Sequence, residues 1–165
     1  MSGAAGRIVV GVDGSESSTA ALHWALDEAE LRGVDVQAVL AWQHPVVYNP
    51  PNIMAISSTV VSYDDLATAA AREVARIAAE AGQNRTASIT AEAVEGHPAE
   101  ALISAAADAG LLVVGSRGHG GFVGALLGSV SHHVVAHAEC PVVVIPDRSH
   151  GDPDGDAERM RHDTY

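Results

Sequence analysis

Short runs of β-branched apolar residues alternate along this chain with stretches whose apolar positions recur at helical spacing. Residues 7–12, Arg-Ile-Val-Val-Gly-Val, form the first run and are closed by Asp13-Gly14, the pattern of a strand buried on both faces. Ser15 or Ser17 can cap the helix that follows through Ala20, Ala21, Leu22, Ala25, Leu26 and Ala29, and Gly33 behind Arg32 offers a left-handed stop. Residues 34–42 predict a second strand with Val36, Ala38, Leu40 and Trp42 on one face and Val39 and Ala41 on the other.

Residues 43–62 carry Pro45, Pro50 and Pro51 without a period, so they predict a long, mobile connection. From Asp64 or Asp65 to Ala81 the positions Leu66, Ala70, Val74, Ile77 and Ala81 predict a second helix, ended by Gly82. Alternation over 88–94 gives a third strand. Pro98 opens a helix through Ala101, Leu102, Ala105 and Ala106 that stops at Gly110. Residues 111–114 are a fourth buried strand, 129–137 a fourth helix and 142–145 a fifth strand. The remainder, 147–165, mixes acids with Arg, Gly, Pro and Ser and predicts a disordered acidic tail behind a single domain over 1–146.

Five strands alternating with four helices specify an α/β fold, a doubly wound five-stranded parallel sheet with helices on both faces. Ligands of such sheets sit beyond the carboxyl ends of the strands where the strand order switches. That places attention on Asp13, on the start of the long connection and on the residues just after Val114.

Composition narrows the chemistry. A chain of 165 residues with 47% apolar content suits one domain and one core. A net charge of −12 argues against nonspecific binding to nucleic acid or anionic membranes, since both need a positive field. No run approaches the roughly 18 apolar residues of a membrane span, and residues 1–7 lack a leader pattern, so a cytoplasmic location is expected. One cysteine, Cys140, forms no internal disulfide and reads as a small buried hydrophobe. The nine basic residues are all arginine. Mechanisms that need a lysine, the P-loop and the Schiff base among them, are excluded.

The candidate chemistry lies after the fourth strand, where residues 115–129 read Gly-Ser-Arg-Gly-His-Gly-Gly-Phe-Val-Gly-Ala-Leu-Leu-Gly-Ser. Glycine lets a polyphosphate approach the main chain and lets consecutive N–H groups converge on an anion. A helix starting near Ser129 adds its unpaired N–H groups, and the Ser129 and Ser131 hydroxyls are candidate donors to phosphate. Arg117 is the nearby fixed positive charge, so a divalent cation is expected to assist a triphosphate. The same glycines also suit a plain tight strand-to-helix connection, and residue physics alone leaves both open. A dinucleotide fingerprint would need glycine where Val123 stands.

Gly115-Ser-Arg-Gly118, nine residues, then Gly128-Ser129 resembles the G-x2-G-x9-G-[S/T] signature of ATP-binding universal stress proteins. The opening residues 10–15, Val-Gly-Val-Asp-Gly-Ser, and the closing 140–145, Cys-Pro-Val-Val-Val-Ile, resemble the same family's first and last strands. The resemblance spans residues 7–146 and implies a Rossmann-like, adenine nucleotide alpha-hydrolase-like fold. It also implies a nucleotide-dependent regulatory protein, with slow ATP hydrolysis at most and no catalytic residue of its own. By position it implies that Gly11, Val12 and Asp13 line the nucleoside pocket and that Ala41 meets adenine. Gly115, Arg117, Gly118, Gly128, Ser129, Val130 and Ser131 match ribose and phosphate contacts, with ATP and Mg2+ as the expected ligands. A homodimer through antiparallel pairing of 142–145 is implied as well, and an uncovered apolar edge invites it.

Alternative readings are a genuine ATP hydrolase or nucleotidyl transferase, with Asp13 holding metal and His119 or Asp13 assisting a nucleophile, and a nucleotide-free interaction module acting on unknown protein partners. AMP or cyclic AMP are candidate ligands beside ATP. His133 and His137 have the i, i+4 spacing of a metal pair, yet no third ligand is fixed beside them and a solvent or capping role is favoured. Trp24, Trp42 and Phe122 are expected in the core or an interface.

Overall fold

The computed structural model describes residues 6–44, 62–118 and 127–147. Strands and helices alternate along them as β1 (Ile8–Gly11), α1 (Glu16–Arg32), β2 (Val36–Trp42), α2 (Tyr63–Ala81), β3 (Ile89–Glu95), α3 (Pro98–Ala105), β4 (Leu111–Gly115), α4 (Ser129–His137) and β5 (Val142–Ile145). The sheet is parallel throughout, in the order β3-β2-β1-β4-β5. Its winding reverses between β1 and β4, so a crevice opens there above the strand ends.

The apolar runs are continuous because both faces are covered. Ile8, Val10, Val36, Ala38 and Val113 meet Leu22 and Leu26 of α1 and Val74 and Ile77 of α2 on one face. Val9, Val39, Leu112 and Val114 meet Leu102 of α3 and Val134 of α4 on the other. Burying each of these aliphatic side chains stabilises the fold by about 1.5–3 kcal/mol before the entropy of ordering the chain is subtracted. The edge strand β3 departs from this pattern: Thr90 and Glu92 are exposed, because α3 lies over β2 and β1 rather than over β3.

Helix ends follow local chemistry where a cap exists. Ser15, not Ser17, caps α1: its Oγ accepts the Ser18 N–H, and Gly33 ends the helix at φ 66°. Ser62 caps α2 by accepting the Asp65 N–H at 3.1 Å, so the helix starts at Tyr63, just ahead of the expected aspartates. Gly82 ends it in a right-handed conformation, and Asn84 takes the left-handed one at φ 60°. α3 ends at Ala105, well short of Gly110, where the Arg7 guanidinium takes up the Ala105 carbonyl at 3.1 Å. Arg7 also pairs with Asp108 at 2.8 Å and holds its carboxyl below the usual range, chiefly through that hydrogen bond.

Trp24 packs, partly buried, against the α1/α2 core, and Trp42 meets the Tyr63 ring edge-on at 5.2 Å. Cys140 is partly buried against the α3/α4 core, and burial pushes its thiol up. No helix among the described residues is long and apolar enough to cross a membrane. Most of the expected mobile connection (45–61), His119, Phe122 and all but the first residue of the expected tail (148–165) lie outside the described residues.

Candidate functional site

The crevice between β1 and β4 is walled on one side by the turn that leaves β1. Val12 is already off the strand, but its N–H still donates to the Val39 carbonyl at 2.9 Å. Asp13 then sits inside the cap of α1. Its Oδ1 accepts the Ser15 N–H at 2.9 Å and its own N–H donates to Ser18 Oγ at 3.3 Å, while Ser18 Oγ donates to the Ser15 carbonyl at 3.0 Å. The cap that starts the helix thus also fixes the carboxylate. Asp13 Oδ2 faces the opposite wall, 2.7 Å from where a Cβ on Gly118 would stand.

That wall is the glycine turn. Gly115 ends β4 against α1, and a Cβ there would lie 2.9 Å from the carbonyl carbon of Ser17. The Ser17 hydroxyl occupies the same space, buried and without a hydrogen-bond partner among the described residues. Ser116 draws the two ends of the turn together: its carbonyl accepts the Gly128 N–H at 2.7 Å and the Ser131 hydroxyl at 2.9 Å. Ser131 is buried and also reaches the Gly128 carbonyl at 3.1 Å. Its hydroxyl hydrogen is therefore directed at the turn's own carbonyls, which makes Ser131 a clamp on the turn in this structure.

Gly128 caps α4 at φ −71°, a value open to any residue. A Cβ there would meet Ser116 O at 3.4 Å, Arg117 Cα at 3.5 Å and Ser131 Oγ at 3.6 Å, all ordinary contacts. The first N–H groups of α4, from Ser129 onward, have no intrahelical acceptor and carry the positive end of the helix dipole. Arg117 is half-buried and makes no ion pair among the described residues, whereas Arg7, Arg32, Arg76 and Arg85 are each matched to a carboxylate.

These walls enclose a cavity of about 410 Å3, the size of small-molecule sites. All the site residues expected from the sequence border it: Gly11, Val12 and Asp13 from β1 and its turn, Ala41 from β2, Gly115, Arg117 and Gly118 from the start of the glycine turn, and Gly128, Ser129, Val130 and Ser131 from its end. Ser18, Val39, Pro98, Leu102, Val114 and Leu127 border it too and were not singled out in the sequence. Val39 could have been found from Ala41, two residues along the same face; Leu102 and Ser18 had no such signal. The cavity thus has an apolar floor, a rim of main-chain N–H groups, and one positive and one negative side chain.

Among the described residues no group of three His, Cys, Asp or Glu is arranged to hold a metal ion. His133 and His137 stack with centroids 4.2 Å apart, and His137 Nδ1 donates to the His133 carbonyl at 2.9 Å, a local bond at the end of α4.

Known proteins share this architecture and sequence. Residues 5–146 match the model of the Universal stress protein family. The chain is 36% identical over 158 residues to Universal stress protein Rv1996 of Mycobacterium tuberculosis, an alignment covering 85% of this chain and 48% of that protein. It is 37% identical over 137 residues to Universal stress protein Rv2623 of the same organism, covering 83% and 44%. The chain therefore spans about half the length of these curated relatives. Among solved structures, UspA from Lactobacillus plantarum superposes with a TM-score of 0.69 at 24% identity, covering 86% of this chain and 97% of that one. A universal stress protein in complex with cAMP superposes at 0.59 and 28% identity, covering 86% and 96%. A match that runs through β1, the glycine turn and β5 takes in every wall of the cavity, and this chain belongs to the universal stress protein family.

Proposed function

We propose that this chain is an ATP-binding regulatory domain whose nucleotide state is read by other proteins. The observation that carries the reading is Gly128. Among the described residues nothing requires glycine there, since its φ is ordinary and a Cβ would make only ordinary contacts, so the bare main chain at this position suits a ligand held against it. The apolar floor at Val39, Ala41, Leu102 and Val114 suits a flat base, and the rim at Gly118 and Gly128–Ser129 suits phosphate oxygens. The relative solved with cAMP supports an adenine ligand.

Charge distinguishes ATP from smaller adenine ligands. A triphosphate brings about four negative charges to a site whose fixed charges are Arg117 and Asp13. Mg2+ would be held by the phosphates with Asp13 as its protein ligand, and would supply the missing positive charge. ATP affinity, measured by isothermal titration on nucleotide-free protein, is expected to fall at least about tenfold when EDTA removes Mg2+, with little change for cAMP. Equal ATP affinity in EDTA would contradict a metal-assisted triphosphate, and no binding of either ligand would overturn the reading as a whole. Turnover separates regulator from hydrolase: an enzyme would hydrolyse ATP well above the spontaneous rate, with wild-type protein saturated by ATP and Mg2+.

A second copy of the chain is the proposed partner of β5. The Pro141 and Ile145 carbonyls accept from Leu112 of β4 and from Ser116 just beyond it, so by alternation the main-chain groups of Val142 and Val144 face outward from the edge. Val144→Pro deletes an outward N–H on an edge strand, where proline is tolerated. It is expected to convert a dimer into a monomer in sedimentation equilibrium, with an unchanged circular dichroism spectrum. A wild-type monomer would refute the pairing.

A further inference from the structure

Ser116 carries more connections than the closing of a turn requires. It is buried, at 6% exposure, and each of its polar groups serves a different segment. Its N–H donates to the Ile145 carbonyl at 2.7 Å, at the end of β5. Its hydroxyl accepts the Asp147 N–H at 3.0 Å, two residues further on. Its carbonyl accepts Gly128 N–H and Ser131 Oγ at the start of α4. The cavity rim and the chain leaving β5 are far apart in sequence, and they meet on this one residue.

The physical consequence comes from a carbonyl that accepts two donors. Gly128 and Ser131 together fix the plane of the peptide after Ser116, and the same residue's side chain holds Asp147. An anion that shifts Gly128 and Ser131 would pull on the Ser116 carbonyl, and any displacement of the Ser116 Cα that results is carried to the hydroxyl on the same Cα and so to its bond with Asp147. A neighbouring residue without the hydroxyl would leave Asp147 untouched. Any coupling of this kind is reciprocal: a change that moves Asp147 also shifts ligand affinity.

We propose that Ser116 is a positioning residue that couples occupancy of the glycine turn to the point where the chain leaves β5, at Asp147. The proposal rests on the nucleotide reading above for its ligand, but the coupling itself is a property of the protein. Beyond Asp147 the sequence carries Asp152, Asp154, Asp156 and Glu158, so the relayed quantity is the Asp147 N–H bond at the point where an acidic sequence begins.

Residue-resolved amide hydrogen exchange on the full chain tests it, with ATP and Mg2+ as the probe. In the wild type, nucleotide is expected to slow exchange at both Gly128 and Asp147 by about fivefold or more, the scale of one hydrogen bond. In Ser116→Ala, which keeps the main-chain bonds, Gly128 still responds and Asp147 does not. A ligand-free arm uses Ser131→Ala, which removes one donor from the Ser116 carbonyl. It is expected to speed exchange at Asp147 about fivefold while Val113, in the sheet interior, is unchanged. Slowing at Gly128 without slowing at Asp147 overturns the coupling and leaves nucleotide binding standing. If ATP changes neither amide, the nucleotide reading fails, and the Ser131→Ala arm alone decides: no change at Asp147 overturns the proposal.

Discussion

Gly115→Ala is expected to destabilise the domain by about 3 kcal/mol, the upper end of what overpacking costs, and urea denaturation of the two proteins measures it. The new methyl group would stand 2.9 Å from the carbonyl carbon of Ser17 and 3.0 Å from its Cβ, in the first turn of α1. A flexible side-chain tip could swing away from such a contact. A main-chain atom of a helix packed over β1 and β4 cannot, because Leu22, Leu26 and Ala29 anchor that helix in the core. Ser17→Ala makes the experiment decisive. It removes the hydroxyl that the methyl would strike, and that hydroxyl is buried without a partner among the described residues, so the single variant is expected to be neutral or more stable by about 1 kcal/mol. In the double variant the hydroxyl clash is gone and the main-chain clash stays, so only part of the loss returns. Full rescue would mean that the helix has room to move; no loss in Gly115→Ala would mean that β4 and α1 are less closely packed than the structure has them.

This result bears on how the signature is understood. Gly115, Gly118 and Gly128 look alike in the sequence, and residue physics left open whether together they cradle an anion or merely make a tight strand-to-helix connection. The structure divides their work. Gly115 is needed by the protein, to let α1 approach β4. Gly118 is crowded by the Asp13 carboxylate, so a side chain there would disturb an acidic neighbour as well as any ligand. Among the described residues, Gly128 meets neither demand.

The same division explains which features could be read in advance. α4 and β5 were legible to the residue, since glycine and serine mark where the helix starts and proline and valine where the strand begins. The end of α3 was not, because it is set by Arg7, about a hundred residues away along the chain, reaching the Ala105 carbonyl. Local sequence offered only Gly110 as a stop. The cavity's polar rim was legible because its residues are consecutive in a motif. Ser18 and Leu102 were not, since nothing in a helical repeat says which buried position faces an opening. Ser131 shows the limit of a motif: it borders the cavity, but the direction of its hydroxyl was a matter of the fold, which aims it at Ser116 and Gly128.

Gly128→Val is for these reasons the substitution that isolates the ligand. Valine can adopt φ −71° and ψ 167°, and its Cβ would meet the described residues at no less than 3.4 Å. The loss of stability is expected to be about 1 kcal/mol, the cost of a poor helix cap. Affinity for ATP with Mg2+ is expected to fall about a hundredfold, because holding an oxyanion away from the first turn of α4 removes one or two charge-assisted bonds worth about 1.5–3 kcal/mol each. Gly128→Ala should lie between valine and wild type. Thermal melting and titration on the same samples separate the two quantities, and their ratio carries the inference. A protein that melts near the wild-type temperature and no longer binds ATP places the phosphates against Gly128. One that melts normally and binds as before shows that the turn takes no phosphate, and the cavity then serves a ligand held by its apolar floor. One that fails to fold would give Gly128 the same role as Gly115 and would remove the main support for a ligand at the turn.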